Sequence, residues 1–303
     1  MRYHRVVRVD HVLHAVRDLT ATIATFRDRL GMAAAFGGVH PGRGTHNGLV
    51  HFGTGYLELI GVADPFAERG AAIARHCAEG DALYSFAMAV ADLEMADSDL
   101  PAGGSSRGAI RPGGRRTAAG ADLRWRSADL APPSDVVAEM FPLPFLIEWT
   151  VDDAGRHWMG ERRSLARHAL PYGPLQAITI AVRDAGVLAP VCARWFGWEV
   201  VAESRSTVCL KTRGAPVNDD LGPGPAIILR APEGEGTADR AISERLRRHG
   251  PGCAGIVIGT GDARGLIEGL RGRGVAVDPD AAGGRVTIDP AGSHGLLIEI
   301  APT

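Results

Sequence analysis

The stretch RVDHVLHAVRD, residues 8–18, decides how this chain is read. It is rich in β-branched residues and alternates in character, which is the period of a strand with one buried face. Asp18 closes the run and is placed to cap a helix over LTATIATFRDRLG, residues 19–31. There Leu19, Ile23, Phe26 and Leu30 share one helical face, and Gly31 ends the helix. Three further strand-like stretches come next at 32–37, 46–53 and 56–62, divided by Gly-rich turns. The unit so read is βαβββ.

The same beat returns three times. LYSFAMAVADL (83–93) resembles HVLHAVRDL and precedes strand-like stretches near 108–112, 121–127 and 144–150. LQAITIAVRDAG (175–186) opens a third unit, with a helix over 187–197 and strands near 198–204, 207–212 and 225–230. CAGIVIGTGD (253–262) opens a fourth, with a helix over 263–273 and strands near 275–278, 285–289 and 295–300. Each opening strand ends in an aspartate: Asp18, Asp92, Asp184 and Asp262. Recurrence of this kind outweighs any single strand assignment. The second unit has the weakest helix, because DSDLPAGGSS is a poor helix former. A mixed-charge linker at 152–174 divides the repeats two and two. The expected class is α+β, with domains over 1–151 and 175–303 built on curled, mostly antiparallel sheets.

Bulk properties bound the function. The chain has 303 residues, 45% hydrophobic and 22% charged, with a net charge of −2. A near-neutral balance argues against nucleic acid as the main partner. Cys77, Cys192, Cys209 and Cys253 are far apart and form neither a zinc ribbon nor a redox pair. No signal peptide and no apolar run of membrane length is visible. The expectation is a cytoplasmic protein with a small-molecule partner and no membrane partner, a homodimer being open.

One charge looks misplaced. Glu58 interrupts the apolar run Tyr56-Leu57-Glu58-Leu59-Ile60, and an unpaired carboxylate inside a strand is costly. Glu148 in LPFLIEW and Glu299 in GLLIEIAP repeat the pattern. Either these strands show a face to water or something cationic stands opposite. Arg124 and Arg126 share one face of a neighbouring strand and would pair such a carboxylate without any metal.

Four βαβββ units paired into two domains resemble the vicinal oxygen chelate superfamily, the glyoxalase/bleomycin-resistance/dioxygenase fold. VDHVLHAVRDL, GVHPGRGTHNGLVHFGTGYLELI and LPFLIEW together resemble its glyoxalase-like domain group. The resemblance implies a cup formed by each pair of units, with metal ligands on first and last strands. Mapped onto this chain, the first-strand positions hold His11, Ser85, Ala177 and Gly255, and the last-strand positions hold Glu58, Glu148, Ile228 and Glu299. The implied site is therefore N-terminal: a divalent metal (Zn, Mn, Fe, Co or Ni) on His11, Glu58 and Glu148, with Ser85 where a second histidine often sits. Such an N/O donor set suits these metals rather than a soft thiolate metal.

The implied activity is isomerase-, lyase- or dioxygenase-like chemistry on a substrate with neighbouring oxygens, in which Glu58, Glu148 or His46 moves a proton. Asn47, Arg43, Tyr56, Ser85, Arg124 and Arg126 are the residues expected to touch substrate. The face of the 46–53 strand that looks into the cup is open between His46 and Asn47. The alternative is a metal-free protein that sequesters a ligand, with Trp125, Trp149, Phe52 and Tyr56 as walls. No Gly-rich nucleotide signature is present, because GLRGRG (269–274) closes a helix instead of opening one after a strand.

Overall fold

The computed structural model describes residues 8–53, 55–117, 120–133, 139–150, 166–212, 224–279 and 284–303. Most of the expected 152–174 linker lies outside these residues. The first sheet contains β1 (Arg8–Ala15), β2 (Ala35–His40), β3 (Thr45–His51), β4 (Tyr56–Val62), β5 (Ala82–Ala89), β6 (Ser106–Arg107), β7 (Arg111–Thr117), β8 (Asp122–Ala131) and β9 (Phe145–Trp149). Its order is β6-β8-β7-β2-β3-β4-β1-β5-β9, and β8 also pairs with β9. That last pairing joins the two ends. Apart from the short β6, the strands form a closed ring.

The second sheet stays open. It comprises β10 (Leu175–Ala181), β11 (Glu199–Glu203), β12 (Thr207–Lys211), β13 (Ala226–Arg230), β14 (Gly252–Thr260), β15 (Val277–Pro279), β16 (Val286–Ile288) and β17 (Leu297–Pro302). Their order is β11-β12-β13-β10-β14-β17-β16-β15. The repeat shows in the pairing. First and last strands of a unit run parallel, β1 with β4 and β10 with β13, and the first strands of paired units run antiparallel.

All four closing aspartates act as caps. Asp18 accepts from the Ala21 N–H at the start of α1 (Leu19–Ala24), which runs on as a π turn over Thr25–Arg29. Asp184 and Asp262 likewise accept from Val187 and Gly265. Asp92 accepts from Glu94, but only short turns come after it, in keeping with the sequence there. Alternate residues of the strands, such as Val12, Leu57, Leu59 and Phe86, feed one core between the sheets, to which helices and connections add Phe26, Phe52, Phe141, Trp195 and Trp198. Burial of this kind contributes about 25 cal/mol per Å² of apolar surface.

Two helices lie outside the expected repeat pattern. α2 (Glu68–His76) precedes β5, and a counterpart over Thr237–His249 precedes β14. Each lies on the face of its sheet away from the common core: Ile73 packs on Leu13, Ala15 and Ile60, and Ile242 on Ala181, Ala254 and Leu297. They sit in the connections between units, which a strict βαβββ template skips.

Two buried histidines link the packing to pH. His14 donates from Nε2 to the His294 carbonyl at 3.0 Å, and burial lowers its pKa to about 4. Burial also lowers His168 to about 4, and its Nδ1 accepts from the Ala33 N–H. The unfolded chain protonates both near pH 6.5, so between pH 6.5 and 4 the unfolded state binds more protons. Stability is therefore full above that window and lost as pH falls through it, at up to about 1.4 kcal/mol per pH unit for His14. Urea midpoints are expected to drop steadily from pH 7 to 4.5; a midpoint unchanged across that range contradicts this account.

Candidate active site

The closed ring encloses a cavity of about 440 Å³. Period-2 alternation decides what enters it. From β1 come His11 and Leu13; from β3, Thr45 and Asn47; from β4, Tyr56, Glu58 and Ile60. Trp125, Ser127 and Asp129 of β8 and Phe145, Ile147 and Trp149 of β9 complete the far wall. Glu58 is almost fully buried on the wall that β4 shares with His11 and Asn47.

Asn47 Nδ2 donates to Glu58 Oε1 at 2.7 Å. His11 Nε2 stands 3.5 Å from Glu58 Oε2, and His40 Nε2 stands 3.6 Å from Oε1. Both rings are oriented from behind. His11 Nδ1 lies 2.8 Å from Asp10 Oδ2, which also accepts from Trp149 Nε1 at 3.3 Å. A carboxylate can only accept, so Nδ1 carries the proton shared with Asp10. His40 Nδ1 lies 2.8 Å from Thr45 Oγ1, and its Nε2 faces the Asn47 amide donor at 3.3 Å. His40 is therefore the Nδ1–H tautomer. Tyr56 stacks on His11 with centroids 4.5 Å apart.

Charge is set by this packing. Burial lowers the pKa of His40 to about 4, so it is neutral at pH 7; Glu58 opposes that shift and Arg115 reinforces it. Burial pushes Glu58 upward, but His40, His11, the Asn47 hydrogen bond and Arg115 outweigh it and hold the carboxyl below its ordinary value.

Two backbone irregularities make the arrangement fit. β1 carries a bulge between Val9 and His11 against β5, so the consecutive residues Asp10 and His11 meet through their side chains. β2 is shifted between Phe36 and Gly38 against β3, and a Cβ at Gly37 would come within 2.4 Å of Asn47 Oδ1. Gly37 is needed there for close approach.

Of the expected site residues, the ring brings His11, Glu58, Asn47, Arg43 and Tyr56 to the cavity. Glu148 does not enter. Its neighbours Ile147 and Trp149 point inward, while Glu148 shares the opposite face of β9 with the core residue Leu146. There it receives Arg126 Nη2 at 2.7 Å and the Leu93 N–H at 2.7 Å. Register explains the displacement. Glu58 stands beside Leu13 and Glu299 beside Val257, each two residues after the first-strand position. The equivalent partner of Ala87 is Phe145, so the second unit offers an aromatic ring where the repeat predicts Glu148.

Arg126 is thus the partner of Glu148 and not a cavity residue, and Arg124 is exposed on the same outer face of β8. Ser85 pairs with Leu13 but does not line the cavity. His46 faces outward, edge-on to Phe36, because Thr45 and Asn47 take the inner face of β3.

The metal triad of His11, Glu58 and Glu148 is therefore not assembled. Among the described residues no group of three or more His, Cys, Asp or Glu side chains is placed to hold a metal ion. The Glu58 carboxylate stands between the His11 and His40 imidazoles, one oxygen toward each. Asp10 and His40 are the site residues that sequence reading missed. Their signals in the sequence are two adjacent ionisable residues in a buried strand, VDHV, and a His–Thr pair across the PGRG turn.

A family model described as a glyoxalase-like domain matches residues 9–196. No curated protein matches the chain significantly. Among solved structures, a hypothetical protein from Staphylococcus aureus superposes with TM-score 0.64 at 13% identity, covering 98% of this chain and 100% of that one. A mutant of 4-hydroxymandelate synthase from Streptomyces coelicolor gives TM-score 0.54 at 16% identity, covering 98% of this chain and 93% of that one. At such identities the likeness shows a shared fold. With the repeated βαβββ units, the curled sheets and the family match in agreement, the chain belongs to the glyoxalase-like domain family of the vicinal oxygen chelate superfamily.

Proposed function

We propose that this protein is a small-molecule enzyme whose N-terminal cavity takes a carbonyl-bearing substrate and whose Glu58 moves a proton at the adjacent carbon. The observation that carries this reading is Glu58 itself. The other two last-strand carboxylates are answered by guanidinium groups, the half-buried Glu148 by Arg126 and the buried Glu299 by Arg230. Glu58 instead meets an amide donor and two imidazoles, and it opens onto a cavity with room for a metabolite. A buried, ionised carboxylate that opens onto a cavity is in the protonation state from which a general base acts.

In the reaction, Glu58 takes the proton from the carbon beside the carbonyl. The electron pair of that C–H bond moves onto the carbonyl oxygen as an enolate. Arg115, which lines the cavity from β7 near enough to act on Glu58, supplies positive charge for the oxygen that becomes anionic. Return of the proton to the other face, or to the neighbouring carbon, completes an epimerisation or isomerisation with no atoms gained or lost. His11 Nε2, 3.5 Å from Glu58 Oε2 and oriented by Asp10 on Nδ1, is placed to exchange a proton with the Glu58 carboxyl between the two transfers. Asp10 acts through His11 and is a positioning residue.

Deuterium wash-in at the carbon beside the carbonyl, followed by proton NMR over a panel of 2-oxo acids and 2-hydroxy ketones, tests this reading. Glu58→Gln is expected to lower the exchange rate by about 10²–10⁴-fold. Glu148→Gln should leave exchange unchanged and cost about 1 kcal/mol of stability, since it loses a half-exposed ion pair and one N–H bond. The reverse pattern would sink the proposal. Asp10→Asn is expected to slow exchange by roughly 10²-fold while the fold is kept, because His11 is no longer held in one tautomer.

Dialysis of tag-free protein against a chelator is expected to leave exchange intact. One metal ion per chain, lost together with exchange in His40→Ala, would instead establish a metal-dependent reaction.

A further inference from the structure

We infer that the substrate is an organic anion with a flat apolar body, its charge seated on Arg43 and Arg69 at the cavity mouth. The inference rests on the reading of this cavity as the active site and adds the substrate class. Its basis is an imbalance of charge. Among the described residues the lining carries Arg43, Arg69, Arg111 and Arg115 against Glu58, Glu68 and Asp129. Arg111 is answered by Asp129 at 3.3 Å. Arg115 lies deeper, with Nη1 donating to the Gly37 carbonyl. Arg43 and Arg69 form no ion pair among the described residues: Arg43 Nη2 donates to the Pro112 carbonyl at 2.9 Å, and the Arg69 guanidinium lies over the Tyr84 ring at 4.9 Å.

These two cations are fixed in place. The Gly44 carbonyl accepts from both Ala63 and Asp64, and the Gly70 N–H donates to the Arg43 carbonyl, so the 41–44 turn and the start of α2 form one unit. The approach is close enough that a Cβ on Gly70 would come within 1.9 Å of the Asp64 carbonyl oxygen. Burial lowers the pKa of Arg43, and Arg69 and Arg111 add to the shift, the mark of like charges held together. Glu68 lines the same space but forms no ion pair with either among the described residues, and guanidinium groups not paired to a carboxylate match carboxylate and phosphate oxygens in geometry. Below them Tyr56, Phe145, Trp125 and Trp149 supply the apolar walls. An anion held at the mouth would leave the rest of the molecule extending toward Glu58.

Isothermal titration calorimetry with phenylacetate, phenyl phosphate and the neutral phenylacetamide tests the assignment. At least one anion is expected to bind about tenfold or more tightly than phenylacetamide, and the tighter of the two identifies carboxylate or phosphate as the recognised group. That preference should vanish in Arg43→Gln and in Arg69→Gln; the second leaves the bonds of the 41–44 turn in place and guards against a loss of fold. Phenylacetamide binding as well as the anions, no binding by any of the three, or a preference that survives in both variants would overturn it. Calorimetry on Glu58→Gln separates the two claims. Anion preference kept there while the wild type shows no proton exchange leaves the substrate class standing and removes the reaction. Proton exchange without anion preference does the opposite.

Discussion

The pairing of β8 with β9 is the contact on which the rest of the N-terminal half depends. It turns an extended sheet into a ring and gives every strand an inside and an outside. In a closed ring, alternate residues have opposite fates, and a shift of one residue exchanges them. Trp149 therefore faces the cavity, while its neighbour Glu148 sits outside on Arg126. The same alternation brings Asn47 in and leaves His46 out. Where two adjacent residues had to meet, the strand bulges, as at Asp10 and His11.

Within the ring, the chemistry rests on a buried carboxylate that is satisfied without being neutralised. A direct guanidinium partner would bind Glu58 firmly and weaken it as a base. The Asn47 amide donor answers its charge, and two histidines oriented by Asp10 and Thr45 flank it while it stays open to the cavity. Arg43 and Arg69 lie on the 41–44 turn and at the start of α2, apart from Glu58 on β4, so the proposed anion would bind away from the repulsion of the carboxylate.

The two halves show what happens to one repeat under different demands. Glu299 stands at the same register as Glu58, yet Arg230 at 3.1 Å and Arg285 at 3.6 Å answer it. Its sheet stays open, with a helix laid on Ala181, Ala254 and Leu297. The position Leu13 shares with Glu58 is occupied in the third unit by Thr179 beside Ile228. The charge recurs there as structure.

The sequence by itself determined the repeat, the class and the caps. An alternating strand closed by aspartate recurs at Asp18, Asp92, Asp184 and Asp262, and all four side chains cap the next helical turn, because strand period and capping are local properties of the chain. It also marked Glu58, since a charge in an apolar strand is visible without coordinates. It could not place Glu148, which lies three residues beyond the true equivalent, Phe145, because register across the ring depends on bulges and loop lengths that leave no mark on a single strand. His40 and Asp10 joined the site for the same reason: a turn and a bulge carried them there. The partners of Glu58 were decided only by the tertiary structure, because which side chains face a common interior is fixed by ring closure and not by any segment alone.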